Sequence, residues 1–149
     1  MELLIRTKSA EETMCLGEKI AKSAKSGSTF CLTGDLGAGK TTLVRGIAKA
    51  LGIKSVVQSP TFNIMKIYFD GQKPLIHIDA YRLADVNTDI GLDEYIGYET
   101  GITVIEWPDF IKELIPDDAA TISIINKGET NREITIDSAD KSLIEELQK

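Results

Sequence analysis

Gly34-Asp35-Leu36-Gly37-Ala38-Gly39-Lys40-Thr41-Thr42 is the stretch on which the reading of this 149-residue chain turns. It meets the pattern Gly-x-x-x-x-Gly-Lys-Ser/Thr, the Walker A phosphate loop, at every constrained position. Before it lies Thr29-Phe30-Cys31-Leu32-Thr33, a short run of strand type. After it, from about Lys40, Leu43, Val44, Ile47, Ala48 and Leu51 recur with helical period, and Gly52 is placed to end the helix. Glycines at these positions let backbone N–H groups turn inward around phosphate oxygens with no side chain in the way. The helix that follows adds its positive N-terminal end. On this chemistry Lys40 is expected at the β- and γ-phosphates, the Thr41 hydroxyl at Mg²⁺, and Thr42 at the α-phosphate.

A phosphate loop of this kind needs a further acid near the metal, normally at the end of an apolar strand. Two candidates fit. Ile102-Thr103-Val104-Ile105-Glu106 ends on Glu106, and Leu75-Ile76-His77-Ile78-Asp79 ends on Asp79. Ligands of parallel α/β sheets gather at the carboxyl ends of the strands, so either acid or both can face the phosphates. His77, inside its strand, reads as a packed, hydrogen-bonded ring, and Trp107 and Tyr81 read as packing residues that follow the two acids.

Working outward, residues 3–7 read as a strand, and Ser9-x-x-Glu12 is a capping-box signature for a helix to about Ala24. Met14, Cys15, Ile20, Ala21 and Ala24 are assigned to its buried face. Residues 62–69 and 74–79 are expected to form a hairpin joined at Asp70-Gly71. Residues 83–100 are acidic and irregular, with a short helix near 92–96. Residues 121–125 and 133–137 alternate with period two around a turn containing Gly128, which predicts an antiparallel pair. Ser138 is placed to cap a closing helix whose Leu143, Ile144 and Leu147 share a face. Helices flank strands throughout, so the expected fold is a three-layer α/β domain with a mixed central sheet, of P-loop NTPase type, spanning residues 1–149.

Composition agrees with a globular chain: 42% hydrophobic, 27% charged, with 2 Cys and a formal net charge of -6. These proportions exclude collagen, disulfide scaffolds and disorder. No apolar run approaches the roughly 18 residues of a membrane span, and the opening segment is charged too early for a secretory signal. A cytoplasmic protein is expected, with Cys15 and Cys31 reduced and filling the core. The charge is uneven: residues 1–60 carry 9 basic against 5 acidic side chains, and residues 61–149 carry 8 against 18. That is not the basic footprint of a protein that grips nucleic acid by itself.

Guanine reading requires Asn-Lys-x-Asp, whereas Asn126-Lys127-Gly128-Glu129 ends in Glu and reads as a hairpin turn. ATP is therefore the expected nucleotide. A small-molecule kinase would use several Arg clamps and a lid, and the chain has only Arg6, Arg45, Arg82 and Arg132. A nucleotide-dependent switch module stays open beside a slow ATPase.

Four segments together carry a family resemblance: the phosphate loop, then Ser59-Pro60-Thr61-Phe62, then His77-x-Asp79-x-Tyr81-Arg82, then Glu106-Trp107. In this order and spacing the chain resembles the TsaE (YjeE) family, bacterial P-loop ATPases of tRNA threonylcarbamoyladenosine formation, over about residues 1–137. Ala80 departs from the Leu expected in relatives, but residue 80 should point away from Asp79. The resemblance implies ATP and Mg²⁺ as cofactors and TsaB and TsaD as partners, with TsaD transferring the threonylcarbamoyl group to adenosine 37 of ANN-decoding tRNAs. ATP hydrolysis would reset that complex between turnovers; tRNA would be met only through it, and neither membrane nor DNA is implied. Carried over by position, Thr41 and Glu106 correspond to the metal ligands, and Asp79 to the acid handling the attacking water, with Lys40 beside them. Asp35, Leu36, Gly37, Ala38, Gly39, Lys40, Thr41 and Thr42 correspond to the nucleotide loop. Thr61 lies in a switch-like loop near the γ-phosphate, and Ser9 aligns with a residue near the nucleoside.

Overall fold

The computed structural model describes residues 1–35, 37–58, 64–81 and 91–149. Its strands are β1 Glu2–Thr7, β2 Thr29–Gly34, β3 Met65–Tyr68, β4 Leu75–Asp79, β5 Ile102–Glu106, β6 Ala120–Asn126 and β7 Arg132–Asp137. The helices are α1 Ala10–Ser23, α2 Lys40–Ala50 and α3 Lys141–Gln148. The strands form one seven-stranded sheet in the order β1-β7-β6-β2-β5-β4-β3. Pairs β2–β5, β2–β6 and β4–β5 are parallel, whereas β1–β7, β6–β7 and β3–β4 are antiparallel. The mixed α/β sheet expected from the sequence is therefore present.

Alternation along the central strands divides the core. Phe30, Leu32, Val104, Ile122 and Ile134 face the three α-helices, burying against Leu16, Ile20, Leu43, Ile47 and Leu143. Ile76, Ile78, Ala80 and Ile105 face the other way, against Leu92 and Ile111 from the 3₁₀ segments Leu92–Glu94 and Pro108–Leu114. Ala80 does point away from Asp79. Among the described residues the second face is covered by these short turns, not by long helices. The 3₁₀ segment after β5 carried no periodic signal in the sequence; it starts at Pro108, which is pre-set for a first helical turn.

Several local expectations need correction. The buried face of α1 is Thr13, Leu16, Gly17, Ile20 and Ala21, not the stripe through Met14 and Cys15. The reason is close helix packing: a Cβ on Gly46 of α2 would collide with the Met14 carbonyl, and one on Gly17 with the Leu43 carbonyl. Small residues thus set the contact line that an apolar count overlooks. Cys15 is consequently exposed, while Cys31 is buried, and both thiols are free. Burial, reinforced by the charge of Asp109, pushes the Cys31 thiol up to about 11. At α3 the cap is Asp140, whose carboxylate accepts from the Ser142 and Leu143 amides at 3.0 and 3.3 Å. Ser138, two residues earlier, instead accepts from the Asp140 amide at 3.0 Å.

The β3–β4 hairpin is real, but its link is longer than a tight Asp-Gly turn. Asp70 accepts from the Lys54 and Ser55 amides, each at 2.9 Å, and so ties the hairpin to the chain leaving α2. Gly71 is required by proximity, since a Cβ there would collide with the Leu51 carbonyl oxygen. The Ser9 cap forms as read, with the Glu12 amide donating to Ser9 Oγ at 3.1 Å, but the return arm of the box reaches one residue further back, the Lys8 amide donating to Glu12 Oε1 at 3.2 Å.

Candidate functional site

The site forms where three parallel strands end together. Register sets Asp79 of β4 opposite Glu106 of β5, and Glu106 opposite Leu32 of β2, two residues before the loop begins at Gly34. The loop then turns into α2, whose cap Gly39 has φ 107°, a left-handed conformation that a side chain would strain. Lys40, at the first helical position, is held close to the strand ends.

Glu106 is the centre of the charge network. It is 3% exposed. Its Oε2 accepts from His77 Nε2 at 2.7 Å, and its Oε1 lies 3.6 Å from Lys40 Nζ. Burial alone would raise its carboxyl, but the His77 hydrogen bond and charge, with the Lys40 ammonium, outweigh burial and hold it below the ordinary carboxylate range. Asp79 is more accessible, and its Oδ1 accepts from the Tyr81 amide at 3.1 Å.

Around these groups lies a cavity of about 640 Å³ lined by Gly37, Gly39, Lys40, Thr41, Thr42, Asp79, Tyr81, Glu106, Trp107 and Arg132. A Cβ on Gly37 would meet nothing within 4 Å, so the loop backbone stands open to this space. Thr41 and Glu106 bring a hydroxyl and a carboxylate, hard oxygen donors of the kind Mg²⁺ takes together with phosphate oxygens. The residues present therefore fit a phosphate chain and a small divalent cation. A second cavity of about 590 Å³ sits at the opposite ends of the strands, beside Lys25, Ser28 and Asp140. It lacks the glycine loop and strand-end acids and is not the candidate.

Not every residue singled out from the sequence lines the cavity. Gly37, Gly39, Lys40, Thr41, Thr42, Asp79 and Glu106 come together there. Ala38 is buried, and its amide donates to the carbonyl of the exposed Asp35 at 3.0 Å, so these two shape the loop without lining the cavity. Ser9 lines a smaller adjoining pocket of about 90 Å³ with Thr13, Gly39, Thr42 and Arg132. Leu36 and Thr61, with the rest of Ser59–Pro60–Thr61, lie outside the described residues, as does Arg82.

Two features escaped the sequence reading. Arg132 of β7 donates from Nε to the Ala38 carbonyl at 2.8 Å and from Nη1 to the carbonyls of Gly128 and Asn131 at 3.0 and 2.9 Å. It thereby staples the glycine loop to the β6–β7 turn. No spacing rule links residues 38 and 132; only the sheet order does. Trp107 packs as read, but its place at the cavity was not legible: it has φ 56°, the one positive φ outside glycine among the described residues. The residue is 39% exposed, and its ring packs with Tyr81 and Phe110 at centroid distances of 5.2 and 6.4 Å and lies 5.0 Å from Lys40 Nζ. The left-handed backbone turns this ring to the cavity mouth. The Asn126–Glu129 turn is a hairpin turn as read, with the Gly128 amide donating to Asn126 Oδ1 at 3.0 Å.

A parallel-cored sheet whose central strand leads through a glycine loop into a helix, with acids at the neighbouring strand ends, defines an α/β protein of P-loop NTPase-like fold. Residues 7–134 match the family model described as threonylcarbamoyl adenosine biosynthesis protein TsaE. The chain belongs to the TsaE family. It is 43% identical over 151 residues to the tRNA threonylcarbamoyladenosine biosynthesis protein TsaE of Bacillus subtilis (strain 168), covering 99% of this chain and 95% of that one. It is 39% identical over 132 residues to the protein of the same name from Treponema pallidum (strain Nichols), covering 87% and 96%. The crystal structure of YdiB from Bacillus subtilis superposes with a TM-score of 0.83 at 38% identity, covering 99% of this chain and 95% of YdiB.

Proposed function

We propose that this chain binds ATP with Mg²⁺ and hydrolyses it as the ATPase subunit of tRNA threonylcarbamoyladenosine formation, acting with TsaB and TsaD and resetting their complex between turnovers. The observation that carries the reading is the meeting of Lys40 and Thr41 with Glu106 and Asp79 in one cavity. Its pathway rests on the names of the TsaE relatives.

In this reading Lys40 leaves Glu106 for the β- and γ-phosphates, a short move for a flexible ammonium 3.6 Å away. Loop amides from Gly37 to Thr42 hold the phosphate oxygens, and Arg132 fixes the loop through the Ala38 carbonyl. Thr41 and Glu106 would hold Mg²⁺, which supplies charge neutralisation on the phosphates. Asp79, accessible at the next strand end, orients the attacking water. Trp107 and Tyr81 wall the cavity and limit solvent at the γ-phosphate end. The acidic chain leaves the tRNA to its partners. Localisation in the cytoplasm follows from the same pathway; no described helix is long and apolar enough to cross a membrane.

Calorimetric titration should show ATP and ADP binding with Mg²⁺, GTP binding more weakly, and a loss of about 10–100-fold in affinity for Lys40→Ala, the worth of one charge-assisted contact. Hydrolysis should be slow for the chain alone and faster with TsaB and TsaD. A clear GTP preference, or efficient phosphate transfer to a small metabolite without those proteins, would overturn the reading in favour of a GTPase or a kinase.

A further inference from the structure

We infer that His77 is a positioning residue: it ties down one oxygen of Glu106 so that the other is the one presented to the cation in the glycine cradle. The inference rests on the ATPase reading above and adds a residue to it. His77 is the only histidine of the chain. It is 0% exposed, on a strand whose Leu75, Ile76 and Ile78 are equally buried. Among the described residues its Nδ1 has no hydrogen-bond partner, and its one polar contact there is the 2.7 Å bond from Nε2 to Glu106 Oε2. An ionised carboxylate only accepts, so the proton of this bond is on Nε2.

A ring that serves packing alone would be better replaced by an aliphatic side chain, which leaves no buried nitrogen unpaired. What the histidine adds is direction. Glu106 Oε2 is engaged by β4 from within the sheet, while Oε1 faces Lys40 at 3.6 Å across the cavity. When Lys40 turns to phosphate, Oε1 is freed while Oε2 stays bound. A small cation with strict geometry gains from a ligand whose orientation is already fixed, and outer partners of ligating carboxylates commonly tune affinity this way.

Three measurements on the full chain test this. In the ¹⁵N-labelled protein without nucleotide, Glu106→Gln should shift the Nε2 signal of the single imidazole, because that nitrogen donates to Glu106. The Mg²⁺ concentration giving half-maximal ATP binding, read by calorimetry, should rise about tenfold or more in His77→Phe. His77→Gln, whose amide can donate from the same place, should stay within about threefold of wild type, and His77→Phe should add nothing further in a Glu106→Gln background. Melting temperatures of the nucleotide-free variants separate this from packing: a merely structural ring predicts that Gln and Phe change Mg²⁺ dependence alike. Equal Mg²⁺ dependence in wild type and His77→Phe overturns the inference and leaves the ATPase reading standing. Wild-type protein that binds no ATP at any Mg²⁺ concentration overturns both. Should His77→Phe not fold, the spectrum decides: an Nε2 signal unmoved by Glu106→Gln overturns the inference.

Discussion

Asp79 and Glu106 stand opposite each other in register, yet their surroundings differ. Glu106 is buried and shared between His77 and Lys40, which suits a fixed ligand; Asp79 is open to the cavity and keeps one oxygen clear of its Tyr81 contact. Asp79→Asn should therefore leave ATP affinity within about threefold, roughly 0.65 kcal/mol, while lowering turnover by ~10²-fold. Glu106→Gln should weaken Mg²⁺-dependent binding and hydrolysis together. Calorimetry at varied Mg²⁺ and turnover in the assembled complex check both, and the opposite pattern would exchange the two roles. Both acids were legible because each closes an apolar strand buried on both faces, and Lys40 and Thr41 because their motif is contiguous. Arg132 and Trp107 were not. The first reaches the loop from another strand, and the second owes its position to a backbone angle that residue type does not announce.

At the level of elements, the contact of α1 with α2 depends on two glycines meeting face to face, with Gly46 against Met14 and Gly17 against Leu43. Gly46→Ala should overpack this seam and destabilise the protein by about 1–3 kcal/mol, seen as a lower thermal midpoint with nucleotide absent. A midpoint equal to wild type would mean that the helices part without cost. The same seam explains why strand and helix positions could be read correctly while the buried stripe of α1 could not: hydrophobic periodicity counts apolar residues, and the closest contact here is made by residues with no side chain. The link between α2 and the β3–β4 hairpin has a different character. Desolvation would raise the Asp70 carboxyl, but hydrogen bonds from the Lys54 and Ser55 amides and the Ser55 hydroxyl hold it below its ordinary 3.8. A lowered folded value means that this tie supports the fold above the ordinary value and is lost as pH falls through the lowered one. The Lys54 and Ser55 amide shifts should accordingly titrate with a midpoint below 3.8, and Asp70→Asn should abolish the titration. A midpoint at or above the ordinary value would show that the tie is not formed in solution.

For the whole molecule, the sheet divides into a parallel centre that carries the candidate site and antiparallel margins that close it. Ile134 is 0% exposed and bridges the two, lying opposite Ile124 of β6 and Ile5 of β1. Ile134→Ala should cost about 2–5 kcal/mol in denaturant unfolding, as expected for a fully buried aliphatic side chain. A loss below 1 kcal/mol would mean that the margin is only loosely joined to the centre. The class of fold was visible in the alternation of strands and helices, but the strand order was not, because pairing between distant segments leaves no local mark. That order has a consequence for how the chain is born. Glu2 pairs with Asp137 and Thr7 with Arg132, so among the described residues β1 has no strand partner until β7 emerges from the ribosome. Residues up to 106 can assemble β2, β4 and β5 during synthesis, whereas β1 must wait as an unpaired edge and be captured late, with the entropy of a long loop to overcome. Because Arg132 both begins that final strand and grips the Ala38 carbonyl, the glycine loop gains its last anchor only in the closing step, and a nascent chain stalled short of it carries the nucleotide motif complete in sequence yet unfastened in space.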